Sequence, residues 1–224
     1  MKERKQCLPF YISVEGEVCE YYYFKHLQNL INNSNINKYN VNFKIKKKKP
    51  SSFAKSKTIL YDGEDTQTFY HIQDLENYKT HNEKFQLIID DINNAKRMFK
   101  VNYKLGYSNF TFELWMILHK IDLLFDVGHR NKYVKYINKA FNKRYEYLDE
   151  YKAEDEFLKI LDKIDLTDVL DAISRSKKIR EQHQKDGHAI INYKKFEYYK
   201  ENPDLTVDLC VEEIFIKCGV LTKT

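Results

Sequence analysis

The strongest constraint on the fold is an apolar, β-prone run near the start of the sequence, CLPFYISV at residues 7–14. Polar and apolar positions do not alternate along it, which is typical of a parallel strand that is covered on both faces. The next segment, VCEYYYFKHLQNLI at residues 18–31, repeats apolar residues at helical spacing. A buried strand that is followed at once by a helix predicts an α/β fold with a mainly parallel sheet flanked by helices.

This alternation of strands and helices continues through the first half of the chain. We predict strands at residues 41–46, 84–89 and 101–109, and helices at residues 66–79 and 110–121. A loop is expected from the lysine run to residue 65. Helical patterns then dominate, at residues 132–147, 153–161, 166–183 and 205–218. We therefore expect an α/β core at residues 1–126 and a helical C-terminal portion at residues 127–224 that packs on the core.

Composition narrows the class of protein. The 224 residues are 42% hydrophobic, which suffices for a sizeable core. No apolar run approaches the roughly 20 residues of a membrane span, and the start of the chain does not resemble a signal peptide. The four cysteines, at positions 7, 19, 210 and 218, lack CxxC spacing, which favours reduced thiols over a zinc site. We expect a cytoplasmic protein without a membrane segment, and its net charge of +5 is compatible with a nucleic-acid partner.

Acidic residues follow two of the predicted strands. Glu15 comes directly after the first strand, and Asp90 and Asp91 follow the strand at residues 84–89. Because the carboxyl ends of parallel strands meet at one edge of a sheet, these carboxylates would lie close together and bind Mg²⁺ or Mn²⁺. Gly16 would let a phosphate approach the backbone, and the helix start beyond it would favour anions. The alternative is that Glu15 caps the helix and the aspartates only end a strand.

Four motifs, in order, resemble those of RloB-like proteins. VEGEVCEYYYF is similar to the family's EGxxTE-x-x-YF opening, and LIIDDINN is similar to its acidic strand end. YSNFTFELWMILH resembles the SNPxFExWxxxH segment, and ENPDLTVDLCVEEI resembles the later NPxTxV segment. These landmarks extend from about residue 11 to residue 215, so the resemblance covers most of the chain.

The resemblance implies a Toprim-like fold, metal-dependent phosphodiester chemistry and a role in bacterial anti-phage defence. Family members include the smaller partner of an AbiL-type abortive infection pair, encoded beside an ABC/AAA-type ATPase. In Toprim enzymes the first Glu is a general acid or base and a DxD pair binds magnesium. These roles would fall here on Glu15 and on Asp90 or Asp91.

The sequence departs from this pattern at several positions. DDIN contains no DxD, so the metal would be bound either by Asp90 and Asp91 or by Asp91 and Asn93. Cys19 stands where a Thr is usual, and Phe110 stands where a Pro is usual. The altered DxD favours the alternative function, a non-catalytic effector that binds nucleic acid or the ATPase and keeps a degenerate metal site.

Other acidic and polar residues are further site candidates. Glu20 follows Glu15 by five positions in the predicted helix. Glu113 comes after Ser108 and Asn109, at a predicted strand-to-helix turn. There it is either a fourth carboxylate at the acidic edge or a first-turn acid favoured by the helix dipole.

His119, four residues after Trp115, belongs to the same predicted helix. It is either a further site residue or a packed or surface histidine.

Two basic segments could follow a nucleic-acid backbone. The first is the lysine run Lys46, Lys47, Lys48 and Lys49; the second, on the helix at residues 166–183, contains Arg175, Lys178 and Arg180. Each phosphate contact would add salt-dependent affinity. The alternatives are a solvated loop and the ordinary cations of a helix C-terminus. The function predicted from these features is a Mg²⁺-dependent nuclease acting on RNA, tRNA included, or on DNA. We also keep a homo-oligomer as an open prediction.

Overall fold

The computed structural model describes residues 5–58 and 67–222 of the chain. Its strands are β1 (Cys7–Val14), β2 (Asn40–Lys47), β3 (Thr68–Asp74), β4 (Asn102–Asn109), β5 (Ile191–Tyr193), β6 (Phe196–Tyr198) and β7 (Asp204–Leu205). Five of them form one sheet in the order β2-β1-β3-β4-β7, and β5 and β6 form a separate hairpin. The first four strands of the sheet run parallel and β7 runs antiparallel to β4. The predicted α/β class with a mainly parallel sheet is confirmed.

Helices cover both faces of this sheet. They are α1 (Cys19–Asn33), α2 (Pro50–Thr58), α3 (Tyr78–Phe99), α4 (Glu113–Leu118), α5 (Tyr133–Phe141), α6 (Leu148–Lys152), α7 (Glu154–Leu161), α8 (Leu166–Lys185) and α9 (Val207–Cys218). A short 3₁₀ helix precedes α5. In the part of the chain that the structure describes, no helix has the length and apolar character needed to cross a bilayer.

The alternating side chains of β1 explain the two layers of core. Phe10, Ile12 and Val14 belong to the larger core, with α1, α4 and helices from the C-terminal portion. Tyr11 points to the opposite face and packs on the smaller core beneath α2 and α3. Both faces of the strand are therefore covered, as its unbroken apolar run predicts.

The prediction of a strand at residues 84–89 is wrong, because this segment lies inside α3. The buried residues of that helix are Phe85, Ile89, Ile92 and Ala95, which are three or four positions apart, whereas Leu87 is 65% exposed. Such spacing places one stripe of a helix against the sheet. Asp90 and Asp91 are therefore helical residues and do not end a strand.

The prediction of a helix at residues 66–79 is also wrong. Within it, the structure shows β3, paired in parallel with both β1 and β4. Its residues Phe69 to Ile72 are all buried, since the strand is central and covered on both faces. The strand that carries an acid to the sheet edge is thus β3, and the acid is Asp74.

The remaining predictions differ from the structure mainly in length. The expected loop after β2 contains α2, with Pro50 at its first position, where a missing N–H costs nothing; the part of that loop at residues 59–65 lies outside the described residues. The helix expected at residues 132–147 is shorter in the structure, because Asn142 ends α5 in the left-handed conformation, and α6 begins only after that range. The C-terminal portion also supplies β7 and α9, both of which contact β4.

Candidate active site

Two acidic residues meet where the parallel strands β1 and β3 end. The backbone N–H of Glu15 donates to the carbonyl of Ile72 at 3.2 Å, which extends the pairing of these strands. The Oε2 atom of Glu15 then accepts a hydrogen bond from the backbone N–H of Asp74 at 3.0 Å. Asp74, which our sequence analysis missed, thus lies beside Glu15 at the sheet edge.

Asp90 and Asp91 contact other parts of the molecule. Asp90 pairs with Lys194, with 2.6 Å between Oδ1 and Nζ, and Asp91 accepts from the backbone N–H of Ser51 at 2.9 Å, at the start of α2. Asn93 lies further along the same helix. The prediction that a strand end brings these residues to Glu15 is wrong, because they belong to α3.

Glu76 forms an acid-x-acid pair with Asp74 in the turn after β3. The backbone N–H groups of Leu75 and Glu76 donate to the carbonyls of Ser108 and Phe110, at 2.9 and 2.8 Å. The Glu76 backbone adopts a left-handed φ of 56°. The predicted site residue Ser108 thus helps to fix this turn through its backbone.

The Glu76 side chain has two partners, Arg130 and His81. Its Oε1 lies 3.0 Å from Arg130 Nη1, and its Oε2 lies 2.8 Å from His81 Nε2. The predicted site residue Asn109 has a different place: its amide donates to the carbonyls of Lys200 and Glu201. Asn109 therefore ties the C-terminal portion to the end of β4.

Glu20 reaches the same region from the first turn of α1. Only 5% of the residue is exposed, and its Oε1 accepts from the backbone N–H of Gly16 at 3.3 Å. A Cβ atom at position 16 would lie 2.2 Å from Oε2 of Glu20. Glycine is therefore required at position 16 to leave room for this carboxylate, independently of any approach by a phosphate.

Glu113 brings a further carboxylate from the first turn of α4. The residue is 1% exposed, and Thr111 Oγ1 donates to its Oε2 at 2.5 Å. Its Oε1 lies 3.1 Å from the Nζ of Lys152, at the end of α6. The C-terminal portion thus contributes a cation to the acidic residues of the core.

We call Glu15, Glu20, Asp74 and Glu113 the acidic cluster. Burial, and then repulsion by Glu113 and Glu15, raises the pKa of Glu20 to about 7. Burial, and then repulsion by Glu20, Glu113 and Glu15, also raises the pKa of Asp74 well above its ordinary value. Burial acts to lower the pKa of Lys152, but the charge of Glu113 and of the other acidic groups outweighs it and raises that pKa. One lysine does not compensate the cluster, which favours an added cation or proton.

A chain of hydrogen bonds orients Glu15. The amide nitrogen of Gln73 donates to Glu15 Oε2, and the amide oxygen of Gln73 lies 3.1 Å from His71 Nε2. The other ring nitrogen of His71 lies 2.8 Å from the Ser13 hydroxyl. Burial lowers the pKa of His71 to about 4, so the ring is neutral, with the proton on Nε2 and Nδ1 accepting from Ser13.

Two members of the acidic cluster, Glu15 and Asp74, line a cavity of about 400 Å³, which we call the acidic cavity. Glu76 and four lysines, Lys47, Lys48, Lys49 and Lys84, also line it. Lys46 lies beside a smaller neighbouring depression that also includes Gly16. Three lysines of the predicted basic run, Lys47, Lys48 and Lys49, thus line the acidic cavity, where they could bind the phosphates of a nucleic acid.

The other basic candidates have intramolecular partners. Arg175 donates to the carbonyl of Leu118 at 2.7 Å, Lys178 pairs with Asp122, and Arg180 pairs with Asp208. This part of α8 therefore carries largely neutralised charge.

His119 is a packed histidine, one of the alternatives left open by the sequence. It is fully buried, and its ring nitrogens lie 2.9 Å from the carbonyl of Trp115 and 3.1 Å from the hydroxyl of Tyr23. Burial lowers its pKa to about 4. Its contacts place it in the larger core, between α1 and α4.

The donor set of the acidic cluster fits a hard divalent cation, because Mg²⁺ and Mn²⁺ prefer carboxylate oxygens. Burial raises the pKa values of Glu20 and Asp74, and repulsion by the neighbouring carboxylates raises them further. Within residues 5–58 and 67–222, no group of three or more His, Cys, Asp or Glu side chains is arranged so that it could hold a metal ion. Binding would therefore require the carboxylates to rotate toward the ion.

Comparison with known proteins identifies a family. A family model described as RloB-like protein matches residues 10–214 of the chain. No curated protein and no solved structure gives a match.

Proposed function

We propose that this chain, which belongs to the RloB-like protein family, is a divalent-cation-dependent nuclease. The observation that carries the proposal is the acidic cluster, which brings together Glu15 from the turn after β1, Glu20 from α1, Asp74 from β3 and Glu113 from α4. Burying several carboxylates near one another is costly, so an arrangement without function would be selected against. The lysines at the mouth of the same cavity would hold the backbone of a nucleic acid.

We assign metal binding and proton transfer to different residues of the site. Glu20, Asp74 and Glu113, with Glu76 at the rim, would hold Mg²⁺ or Mn²⁺. A bound cation would polarise the phosphate and stabilise the leaving oxygen. Glu15, held by Gln73 and the backbone of Asp74, would take a proton from water or give one to the leaving group.

The acid-x-acid pair of the proposed site differs from the one expected from the sequence. It moves from Asp90 and Asp91 to Asp74 and Glu76, a D-x-E rather than a DxD. Such a pair supplies two carboxylates around one turn, as the Toprim-like pattern requires. With Asp74 and Glu76 as the proposed pair, the departure from DxD at DDIN lies outside the proposed metal site.

The biological setting is proposed from the family resemblance. We propose that the substrate is RNA, with tRNA among the candidates, or DNA, and that cleavage serves abortive infection during phage attack. An ABC/AAA-type ATPase encoded alongside would control the activity.

A cleavage assay tests the proposal. Purified protein is incubated with RNA and DNA in Mg²⁺ or Mn²⁺, and wild type is compared with Glu15→Gln and with Asp90→Asn as the matched control. We expect wild type and Asp90→Asn to cleave, and Glu15→Gln to be slower by about 100-fold or more, the usual contribution of a general acid or base. Equal cleavage by wild type and Glu15→Gln would remove Glu15 from the mechanism.

The second candidate is a non-catalytic effector that binds nucleic acid or the ATPase. The contact between Lys152 and Glu113 favours it, because a lysine already neutralises part of the acidic cluster. Binding of nucleic acid by wild type, with no cleavage in either metal, would support this alternative.

A further inference from the structure

A second cavity adjoins the acidic cavity across the turn after β3. It has a volume of about 640 Å³, within the range of ligand-binding pockets. Asn77, Tyr78 and Lys79 line it and directly follow Glu76, which lines the acidic cavity. Phe110, whose carbonyl accepts from the N–H of Glu76 at 2.8 Å, lines it too. A nucleic-acid strand with one phosphate at the acidic cavity could therefore place the neighbouring nucleotide in this second cavity.

The wall of this second cavity offers an aromatic surface. Phe125 lies in it and is 55% exposed, although its ring is held edge-on against Tyr136 with 5.8 Å between centroids. Phe110 and Tyr78 add further ring surface. An exposed aromatic ring beside a nuclease site is suited to stacking, since every nucleobase has a π-face.

The wall of this cavity also includes a hydrogen-bond acceptor, Glu201. Oε2 of Glu201 is buried and has no hydrogen-bond partner. His183 Nε2 lies 2.8 Å from the carbonyl of Pro203, so this nitrogen carries the proton. Burial lowers the pKa of His183, and its Nδ1 lies 2.8 Å from Nδ1 of His188, so one of these two nitrogens donates to the other.

We infer that the second cavity binds one unpaired, amino-bearing nucleobase of the strand that is cut. The base would stack on Phe125 and present its amino N–H groups to Glu201. Bases in a duplex cannot enter, because their faces are stacked and their edges are paired. Guanine, adenine and cytosine carry an amino group, whereas uracil and thymine have none and offer a single ring N–H between two carbonyl oxygens. This inference rests on the proposed function and deepens it by naming the substrate class, a single strand.

Binding without metal tests the inference separately from catalysis. Fluorescence anisotropy in EDTA measures the affinity for a single-stranded oligonucleotide and for its duplex, both as RNA and as DNA. The variants are Phe125→Ala and, as a matched control, Met98→Ala, because Met98 is 66% exposed in α3 and lines neither cavity. Wild type and Met98→Ala should prefer the single strand, and Phe125→Ala should bind it about 5- to 100-fold more weakly, the range for one stacked base.

Equal affinities of Phe125→Ala and Met98→Ala for the single strand would overturn the inference, and so would equal affinity of wild type for single strand and duplex. Glu201→Gln tests the proposed contact with the amino group of the base. This variant should have a smaller preference for oligo-C and oligo-A over oligo-U than wild type. An unchanged preference would show that Glu201 does not contact the amino group. These binding measurements are made without metal, so they remain valid even if the protein does not cleave nucleic acid in the separate assay. Cleavage without single-strand preference would overturn this inference alone.

Discussion

Glu20 is a carboxylate buried beside two other acids, and its titration should be visible in the stability of the whole protein. Burial raises its pKa from 4.5 to about 7. Between these pH values the folded state binds more protons than the unfolded state, so the free energy of unfolding falls as pH rises. The loss is complete above pH 7, where folded Glu20 is charged.

We therefore expect Glu20→Gln to be more stable than wild type at pH 8, by up to about 3 kcal/mol, and most of this difference to disappear at pH 5. Urea unfolding at the two pH values measures it. Glu17→Gln is the control, since that side chain is 73% exposed and its replacement should change stability by no more than about 0.5 kcal/mol. A difference for Glu20→Gln that is the same at both pH values would contradict this explanation.

Gly16 and Glu20 form a steric pair. A Cβ on residue 16 would overlap the Glu20 carboxylate, so Gly16→Ala should destabilise the protein by about 1–3 kcal/mol. In a Glu20→Ala background the carboxylate is gone and the penalty should largely vanish. Chemical unfolding of the two single variants and the double variant measures this coupling. If Gly16→Ala destabilises wild type and the Glu20→Ala variant equally, the Glu20 carboxylate is not the reason for glycine at position 16.

At the scale of elements, local pattern identified β1 from its unbroken apolar run and α1, β2 and β4 from the sequence around them. It failed for β3 and α3 because FQLII is an apolar run too short to distinguish a buried strand from a helix. The segment TFYHIQDLE carried the missing signal, a β-prone aromatic run that ends in an acid-x-acid pair.

Part of the acidic cluster could be predicted and part could not. Glu15 and Glu113 are next to strand ends or turns along the chain, so local pattern places them. Lys152 approaches Glu113 from α6, and only the packing of the C-terminal portion determines that contact. Sequence pattern does not encode such packing.

The pairing of β1 with β3 also holds Glu15 through Gln73. A hydrogen bond to a carboxylate favours its charged form, so Gln73→Ala should raise the pKa of Glu15. The acidic limb of the pH–rate profile should move to higher pH, together with a lower kcat. Gln86→Ala is the control, because Gln86 contacts Tyr198 instead. If the profile of Gln73→Ala coincides with that of wild type, Gln73 does not position the catalytic carboxylate.

At the scale of the whole molecule, the site is complete only when the two portions of the chain meet. The α/β core supplies the acidic cluster, and the C-terminal portion supplies Lys152 and the β7 strand that pairs with β4. Asn202 reinforces this junction, because its side-chain amide donates to the carbonyl of Asn109 at the end of β4. Metal binding should therefore depend on the integrity of the whole fold.

The most direct test of the central claim is a calorimetric titration with Mn²⁺ at pH 8, comparing wild type with Asp74→Asn and Asp90→Asn. We expect wild type and Asp90→Asn to bind with the same affinity, and Asp74→Asn to bind about 10-fold more weakly or worse. Wild-type affinity should also fall at pH 6, because protons then compete for Glu20 and Asp74. Absence of binding by wild type, or loss of binding in Asp90→Asn with binding retained in Asp74→Asn, would contradict the claim that the acidic cluster at the ends of β1 and β3 is a metal site.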